Sequence, residues 1–345
     1  MKTKTKAHKR GGKGRIINAI VTCALGAAAL AVALAMFLYI RSFEHEHVGK
    51  HFSNGTRFSQ ITLFLPASAE FTVDKIMYFR YNLDNKLTEK AITRENPNAR
   101  LYADAYTAYR DETLQSSGKR TANAKVAYVG GDYRLFHTKF AASPDVTADV
   151  NHDRILLSRS AAWQLYGGDQ LYDYTAESGG KTRFISGVYA DFEDKASAEF
   201  YGEKAAAMAD IGSETELPVT CYEILLIDPV TNFAVNTVKE CLDLTEGSYV
   251  MVENSTRFSI PNLFKNIPKL VSADEPLPTG VDLTPEEIAV RQGEKLLAML
   301  LVIFLVLAVY PFIWLLILGY RLIQLIKRFF NWLIIARIKD KLAYS

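Results

Sequence analysis

Leu296 to Tyr320 reads LLAMLLVIFLVLAVYPFIWLLILGY, 25 residues without a charge. At 1.5 Å per residue such a run crosses a hydrocarbon core of about 30 Å. Soluble helices seldom stay uncharged over that length, so the stretch reads as a membrane span. Upstream, Thr284-Pro285-Glu286-Glu287 combines an N-cap residue, proline at the first helical position and acid in the first turn. No breaker stronger than Gly293 follows before Pro311, so one continuous helix is predicted from 284 into the span.

A second run, Ile16 to Ile40 (IINAIVTCALGAAALAVALAMFLYI), is equally long and equally free of charge. Lys2, Lys4, Lys6, Lys9, Arg10, Lys13 and Arg15 precede it, and Arg321, Lys327, Arg328, Arg337, Lys339 and Lys341 follow the other. Lys and Arg resist translocation, so both termini are expected to be cytoplasmic, with 41–295 extracytoplasmic across a plasma (inner) membrane. Tyr39 and Tyr320 stand at span ends, where an amphipathic ring suits the headgroup zone. The first run has a rival reading as a cleaved signal peptide, with Ala31-Val32-Ala33 as a processing-type step. Its apolar length, beyond the usual signal core, favours retention. The formal charge of +2 hides an asymmetry, because 41–295 carries 27 basic against 37 acidic residues, a net of −10. Binding to nucleic acid rests on neutralising phosphates, so that class is excluded.

Within 41–295 the alternation of residues predicts two β-α-β units far apart in sequence. Arg57–Pro66 (RFSQITLFLP) reads as a strand, and Thr72–Ala91 as a helix with Val73, Ile76, Leu83 and Leu87 on one stripe. Leu101–Tyr109 (LYADAYTAY) then reads as a strand. A hundred residues later come strand Thr220–Ile227, a helix capped by Thr231 with Ala234, Val238, Cys241 and Leu242 inward, and strand Ser248–Glu253. Two such units make a ferredoxin-like lobe, 57–110 plus 218–256, interrupted by a β-rich lobe, 111–217. Inside the insertion, 124–129, 154–158 and 182–189 read as strands, with a short helix at 159–166 and a helix at 198–209. Gly130-Gly131 and Gly179-Gly180 are turn signals. The expected architecture is therefore α+β, with a basic tail (1–15), spans at 16–40 and 296–320, a stalk helix at 284–295 and a basic amphipathic tail (321–345).

Motifs for chemistry are missing from the sequence. There is no P-loop, because Gly179-Gly180-Lys181-Thr182 lacks a glycine at 175. There is no Gly-x-Ser-x-Gly elbow, zinc helix or Cys-x-x-Cys pair either, so no enzyme and no cofactor are expected. His45, His47 and His51 form a weak metal-binding candidate, with His47 and His51 at helical i, i+4 spacing. His137 and His152 read as single surface side chains. Cys221 and Cys241 would lie in an oxidising exterior, where a bridge between them and two buried thiols are both open. Asn54-Gly55-Thr56 and Asn254-Ser255-Thr256 match the glycosylation pattern. The tail, with Phe329, Phe330 and Trp332 among its cations, suits the inner lipid interface.

Three pieces of 124–190 resemble a known family: Val129-Gly130-Gly131-Asp132-Tyr133-Arg134-Leu135-Phe136-His137, then Ile155 to Gly167 through Ser158, Ala162, Trp163, Leu165 and Tyr166, and then Arg183 to Tyr189 with the Gly187-Val188 pair. They resemble the MacB-like periplasmic core domain of type VII ABC transporter permeases, and with the flanking span the match covers most of 41–256. The resemblance implies a porter-like α/β lobe interrupted by a β-rich lobe, with these residues serving packing rather than catalysis. It also implies a mechanical transmitter that couples a cytoplasmic ABC ATPase to export or extraction of a peptide, antibiotic or lipid-linked substrate. Typical members have four spans. This chain supplies two, which implies a second permease chain, a homodimer, or an accessory protein without transport. Outside that family, a two-span sensor or an envelope scaffold fits the same topology.

Overall fold

Thr5–Arg41 forms one helix, α1. Many of its apolar side chains from Ile16 onward are exposed, as in Ile20, Leu30 and Leu34, whereas Ala29 and Met36 are buried. The chain is seen in a computed structural model that describes residues 5–43, 48, 52, 57–92, 100–272 and 276–343. His45, His47, His51 and the sequence 54–56 lie outside the described residues. The molecule divides into two compact units: Met1–Ser42 with Leu263–Leu270 and Lys295–Ser345, and Phe43–Asn262 with Val271–Glu294.

The second unit starts with β1 (Phe58–Phe64), α2 (Val73–Glu89) and β2 (Tyr102–Ser116). β3 (Thr121–Gly131), α3 (Tyr133–Phe136), β4 (Arg154–Ser158) and α4 (Arg159–Tyr166) follow. Next come β5 (Thr175–Ser178), β6 (Lys181–Tyr189), α5 (Lys195–Tyr201) and β7 (Ala205–Asp210). β8 (Cys221–Ile227), α6 (Phe233–Cys241) and β9 (Val250–Glu253) complete the sheet. Strands β9, β1, β8 and β2 are neighbours in that order, and every pairing among them is antiparallel. Alternation then sorts the side chains. Ile61, Leu63, Tyr106, Tyr222, Ile224 and Leu226 face a core closed by Ile76, Phe79, Leu83 and Leu87 of α2 and by Ala234 and Val238 of α6. Ala103, Ala105 and Leu225 face the other way, under Tyr133, Phe136 and Phe140. Both faces are covered, so β1 and β8 are buried at nearly every position, polar Ser59, Gln60, Thr62 and Glu223 included. The apolar stripe of α2 differs from the expected one by the addition of Phe79. Asn232, with φ 67°, occupies the N-cap position of α6, and Asp228 Oδ1 accepts from Ala234 N at 3.1 Å, so Thr231 is not the cap.

One core contact ties helix to sheet ionically. Arg80 on α2 donates to Asp104 on β2 through Nε (2.8 Å) and Nη2 (2.9 Å), and the Tyr222 hydroxyl donates to Asp104 Oδ2 at 2.7 Å. All three carboxylate contacts are charge-assisted or buried, the stronger kind of hydrogen bond.

β2 does not stop where the sequence suggested. It continues to Ser116 and pairs with β5, so that β2, β3, β7, β4, β6 and β5 close a hydrogen-bonded ring. The expected lobe boundary at 110 falls inside this shared strand. The expected helix at 198–209 is also corrected. α5 ends at Tyr201, Gly202 takes φ 59° and ψ −126°, and Ala205–Asp210 is a strand buried at every position between β3 and β4. Alanine favours helices in isolation, but burial and ladder bonds on both sides outweigh that small propensity.

The residues that carried the family resemblance are placed as follows. Gly131 (φ 71°) ends β3 so close to β2 that a Cβ would lie 2.4 Å from the Asp104 carbonyl oxygen, and a Cβ on Gly130 would meet the Tyr106 ring. Ser158 caps α4, accepting from Ala161 N, and Gly167 closes the helix in the left-handed region. Phe136, Ala162 and Leu165 are buried, and Val188 and Tyr166 are partly buried against the core. Gly187 sits where the β4–β6 register shifts. Trp163 stands apart, being 56% exposed. Cys221 and Cys241 are free buried thiols. Cys221 packs with Phe64 and Val281, whereas Cys241 lies in the core on the opposite face of β8, so the bridge is ruled out by geometry. Asn254 is buried, with its amide donating to Thr62 Oγ1 at 3.0 Å, which makes it no acceptor for a glycan in the folded chain.

Beyond β9, Ile260–Asn266 forms a short helix, α7, and Pro285–Ala343 is one helix of 59 residues, α8, with Pro311 inside it. Among the described residues, Ile16–Arg41 and Pro285–Trp332 are the two helical stretches long and apolar enough to cross a membrane. The molecule is thus a mixed α/β protein with a β-rich domain and two apolar helices.

Candidate functional site

The first turns of α8 carry a cluster of buried ion pairs. Thr284 Oγ1 accepts weakly from Glu287 N (3.4 Å), and its carbonyl accepts from Ile288 N, so the helix starts where Thr-Pro-Glu-Glu announced it. Capping-box geometry would turn Glu287 back to the cap. Its carboxylate instead binds Arg257, which follows β9 in the chain. Arg257 donates Nη1 to Glu287 Oε2 (2.7 Å), Nη2 to Glu287 Oε1 (3.1 Å) and Nε to Glu294 Oε1 (2.8 Å). Arg291, one turn along, donates to Glu287 Oε1 at 2.6 Å. Arg257 and Glu287 are 6% and 3% exposed, so this is a buried pair with a bidentate grip. Burial disfavours the guanidinium charge, but the bonds from Glu294 and Glu287 outweigh it and hold Arg257 more firmly protonated than usual.

A second group converges on the neighbouring residue, Glu286. Lys139, from the turn after α3, donates to its carboxylate. His137 Nε2 lies 2.7 Å from Glu223 Oε2 on β8, and the Tyr133 ring stacks on the imidazole at 4.2 Å. Three parts of the fold therefore meet here: the chain between β3 and β4 (His137, Lys139), strand β8 (Glu223) and the base of α8 (Glu286). His137 is buried, which corrects its reading as a surface residue. His152 instead pairs with Asp210 at 2.6 Å, half in solvent. Burial on its own would raise the Glu286 carboxyl, but the fields of Lys139 and His137 and the Lys139 hydrogen bond prevail and hold it down to about 2. Burial, with the nearby Glu223, Glu286 and Glu287 charges, pushes the Cys221 thiol well up, leaving it protonated and unreactive.

This arrangement ties the start of α8 to the turn after α3 and to the chain after β9 through ion pairs. Among the described residues no three His, Cys, Asp or Glu side chains are grouped to hold a metal ion. The adjoining cleft, lined by Tyr109, Lys125, Phe200, Thr220, Asp282 and Thr284, has a volume of about 180 Å3, below the usual range for a small-molecule site. The sequence hid most of the cluster. Thr284, Glu286 and Glu287 were legible only as helix-start chemistry, and nothing near Arg257 or Glu223 in the chain announces a partner.

The depressed Glu286 carboxyl has a testable consequence. Its folded value lies below its unfolded one near 4.5, so the contribution to stability is complete above that and is lost as pH falls towards 2. Lys139 is 40% exposed, so solvent screening reduces the effect to on the order of 2 kcal/mol. Denaturant titrations at descending pH are expected to show that loss in the natural protein, and to show most of it gone in Lys139→Met. Equal acid sensitivity in the two would refute the assignment.

No family model and no curated protein sequence matches the chain. Solved structures to which it is similar include the periplasmic region of MacB from Actinobacillus actinomycetemcomitans, at 11% identity over 62% of this chain and 94% of that one, with a TM-score of 0.40. A second is the extracellular domain of the noncanonic ABC-type transporter YknZ from Gram-positive bacteria, at 11% identity over 56% of this chain and 99% of that one, TM-score 0.33. A third is a domain assigned to a permease protein from Porphyromonas gingivalis, at 14% identity over 62% and 98%, TM-score 0.33.

Proposed function

We propose that the chain is a permease-like membrane subunit of an ABC-type assembly. In this reading a cytoplasmic ATPase drives motion that α8 passes to the sheet domain, which exports or extracts a peptide, an antibiotic or a lipid-linked substrate. The observation that carries it is the continuity of α8. One helix includes both the carboxylates locked to Arg257 and Lys139 and a stretch apolar enough to cross a bilayer. A buried bidentate ion pair resists shear better than an apolar contact, because displacing either partner leaves an uncompensated charge. The antiparallel order β9-β1-β8-β2 with α2 and α6 on one face supports a ferredoxin-like lobe, and the motif residues of 129–137, 155–167 and 183–189 support the permease kinship. The cationic flanks support cytoplasmic termini and an extracytoplasmic 41–295. Four spans would then come from a second copy or a second permease chain. Catalysis belongs to the ATPase partner, since this chain has no nucleotide-binding motif.

The deciding experiment is affinity purification of the tagged full-length protein from its own membranes in mild detergent, followed by mass spectrometry. Near-stoichiometric recovery of an ABC ATPase is the expected result. Reproducible recovery of a kinase or an envelope protein without any ATPase would overturn the proposal in favour of a sensor or a scaffold. Within a recovered complex, a sheet domain unchanged across every nucleotide state would refute transmission through α8.

A further inference from the structure

We propose that the segment from Ile260 to Val271 is an interfacial anchor, lying in the outer leaflet with its exposed apolar side chains among the acyl chains and its lysines against anionic headgroups. This rests on the reading that α1 and α8 cross the bilayer. Four observations converge on it. The first is charge. In a domain of net −10, residues 254–272 contain Arg257, Lys265 and Lys269 and no acid. Arg257 is committed to Glu287 and Glu294, which leaves the two lysines as the segment's outward charge. The second is the pattern of exposure. Ile260 and Phe264 lie one turn apart on α7, and Ile260 (72%), Phe264 (45%) and, beyond the tight turn Pro268–Leu270, Val271 (93%) are exposed, whereas Leu263 and Asn266 are buried. Exposed aliphatic and aromatic side chains beside two lysines, one at the end of α7 and one in the turn after it, suit a segment that lies on a membrane surface.

The third observation is depth. Phe258 stacks on Phe43 with ring centroids 5.5 Å apart, and Phe43 follows the end of α1 by two residues. Arg257 grips Glu294, two residues before the uncharged run of α8 begins at Leu296. The residues just before the segment therefore contact Phe43 and Glu294, which adjoin the two apolar runs in the chain. Ile260 follows Phe258 by two residues, at most about 7 Å of chain. The fourth is partition. Leu263–Leu270 belongs to the compact unit formed with Met1–Ser42 and Lys295–Ser345, the unit that holds both apolar runs, although the chain on either side belongs to the sheet domain. A lipid surface satisfies all four. It supplies apolar volume for Phe264, anionic partners for Lys265 and Lys269, and continuity with the spans.

Spin labels on full-length protein in vesicles of phosphatidylcholine and phosphatidylglycerol test this, with Cys23, Cys221 and Cys241 replaced by alanine. Phe264→Cys is compared with Val306→Cys in the span and Val150→Cys on the sheet domain, reading collisions with oxygen against a water-soluble nickel chelate. The expected result is an oxygen-to-nickel ratio at 264 several-fold above that at 150, falling at least twofold in Lys265→Glu/Lys269→Glu. A ratio at 264 equal to that at 150 overturns the anchor while 306 preserves the spanning reading. A label at 264 shielded from both reagents overturns it in favour of a protein cover. If 306 itself behaves like 150, the spanning reading falls and the anchor falls with it.

Discussion

Replacing Arg257 by alanine is expected to loosen the base of α8 more than any other single change at that site. The substitution leaves Glu287 buried at 3% exposure with two of its charge-assisted bonds gone, and it strips Glu294 of its partner. Removing one member of a buried pair typically costs about 3–5 kcal/mol, because the remaining charge has no water to return to. Arg291 remains within 2.6 Å of Glu287 and offsets part of that loss. Amide hydrogen exchange on the full-length protein in detergent is the appropriate measurement. Exchange over 285–294 should accelerate by about 100-fold or more, with β1 and β8 little changed, since opening is local. The charge-free variant Arg257→Met/Glu287→Leu should recover much of the protection, as buried ion pairs often exchange for apolar ones without loss. Unchanged exchange over 285–294 in Arg257→Ala would show that the ion pair does not hold the helix.

The second large effect is expected in the core of the sheet. Asp104→Ala removes the acceptor for two Arg80 donors and for the buried Tyr222 hydroxyl at once. Arg80 is 23% exposed, so it recovers some hydration, but the hydroxyl does not. A loss of about 3–5 kcal/mol is expected in denaturant unfolding, against about 1 kcal/mol for Tyr222→Phe, which removes only the donor. Asp104→Asn should fall between them, because it keeps an acceptor and loses the charge. A cost for Asp104→Ala no greater than that of Tyr222→Phe would mean that Arg80 contributes nothing through this bond.

What the sequence disclosed followed the range of the interaction involved. Strand β1, helix α2 and the start of α8 were legible because alternation, a helical stripe and Thr-Pro-Glu-Glu are written within ten or so consecutive residues. β7 was misread because its alanines carry a local helical bias, and the burial that overrides it comes from β3 and β4, far away in the chain. The site was hardest. His137 looked like a solitary polar residue because Glu223, its partner, lies on a distant strand, and Arg257 binds a carboxylate 30 residues further along the chain. Long-range ion pairs leave no periodicity to read. The helix-start motif was correctly placed, yet its third-position glutamate serves the fold's tertiary contact rather than the cap.

The insertion of the ring between β2 and β8 also bears on how the protein is made. β1 finds its neighbours only in β8 and β9, with Phe58 opposite Ile227 and Phe64 opposite Val250. As the chain is made from its N-terminal end, the buried stretch Ile61 to Leu65 therefore appears with two unpaired edges and waits through the whole ring before either is satisfied. β2 and β3, by contrast, form a hairpin from adjacent sequence and can pair at once. Assembly is thus expected to start in the middle of the chain and to end with capture of its earliest strand. That order would leave β1 as the segment most in need of a chaperone during biogenesis.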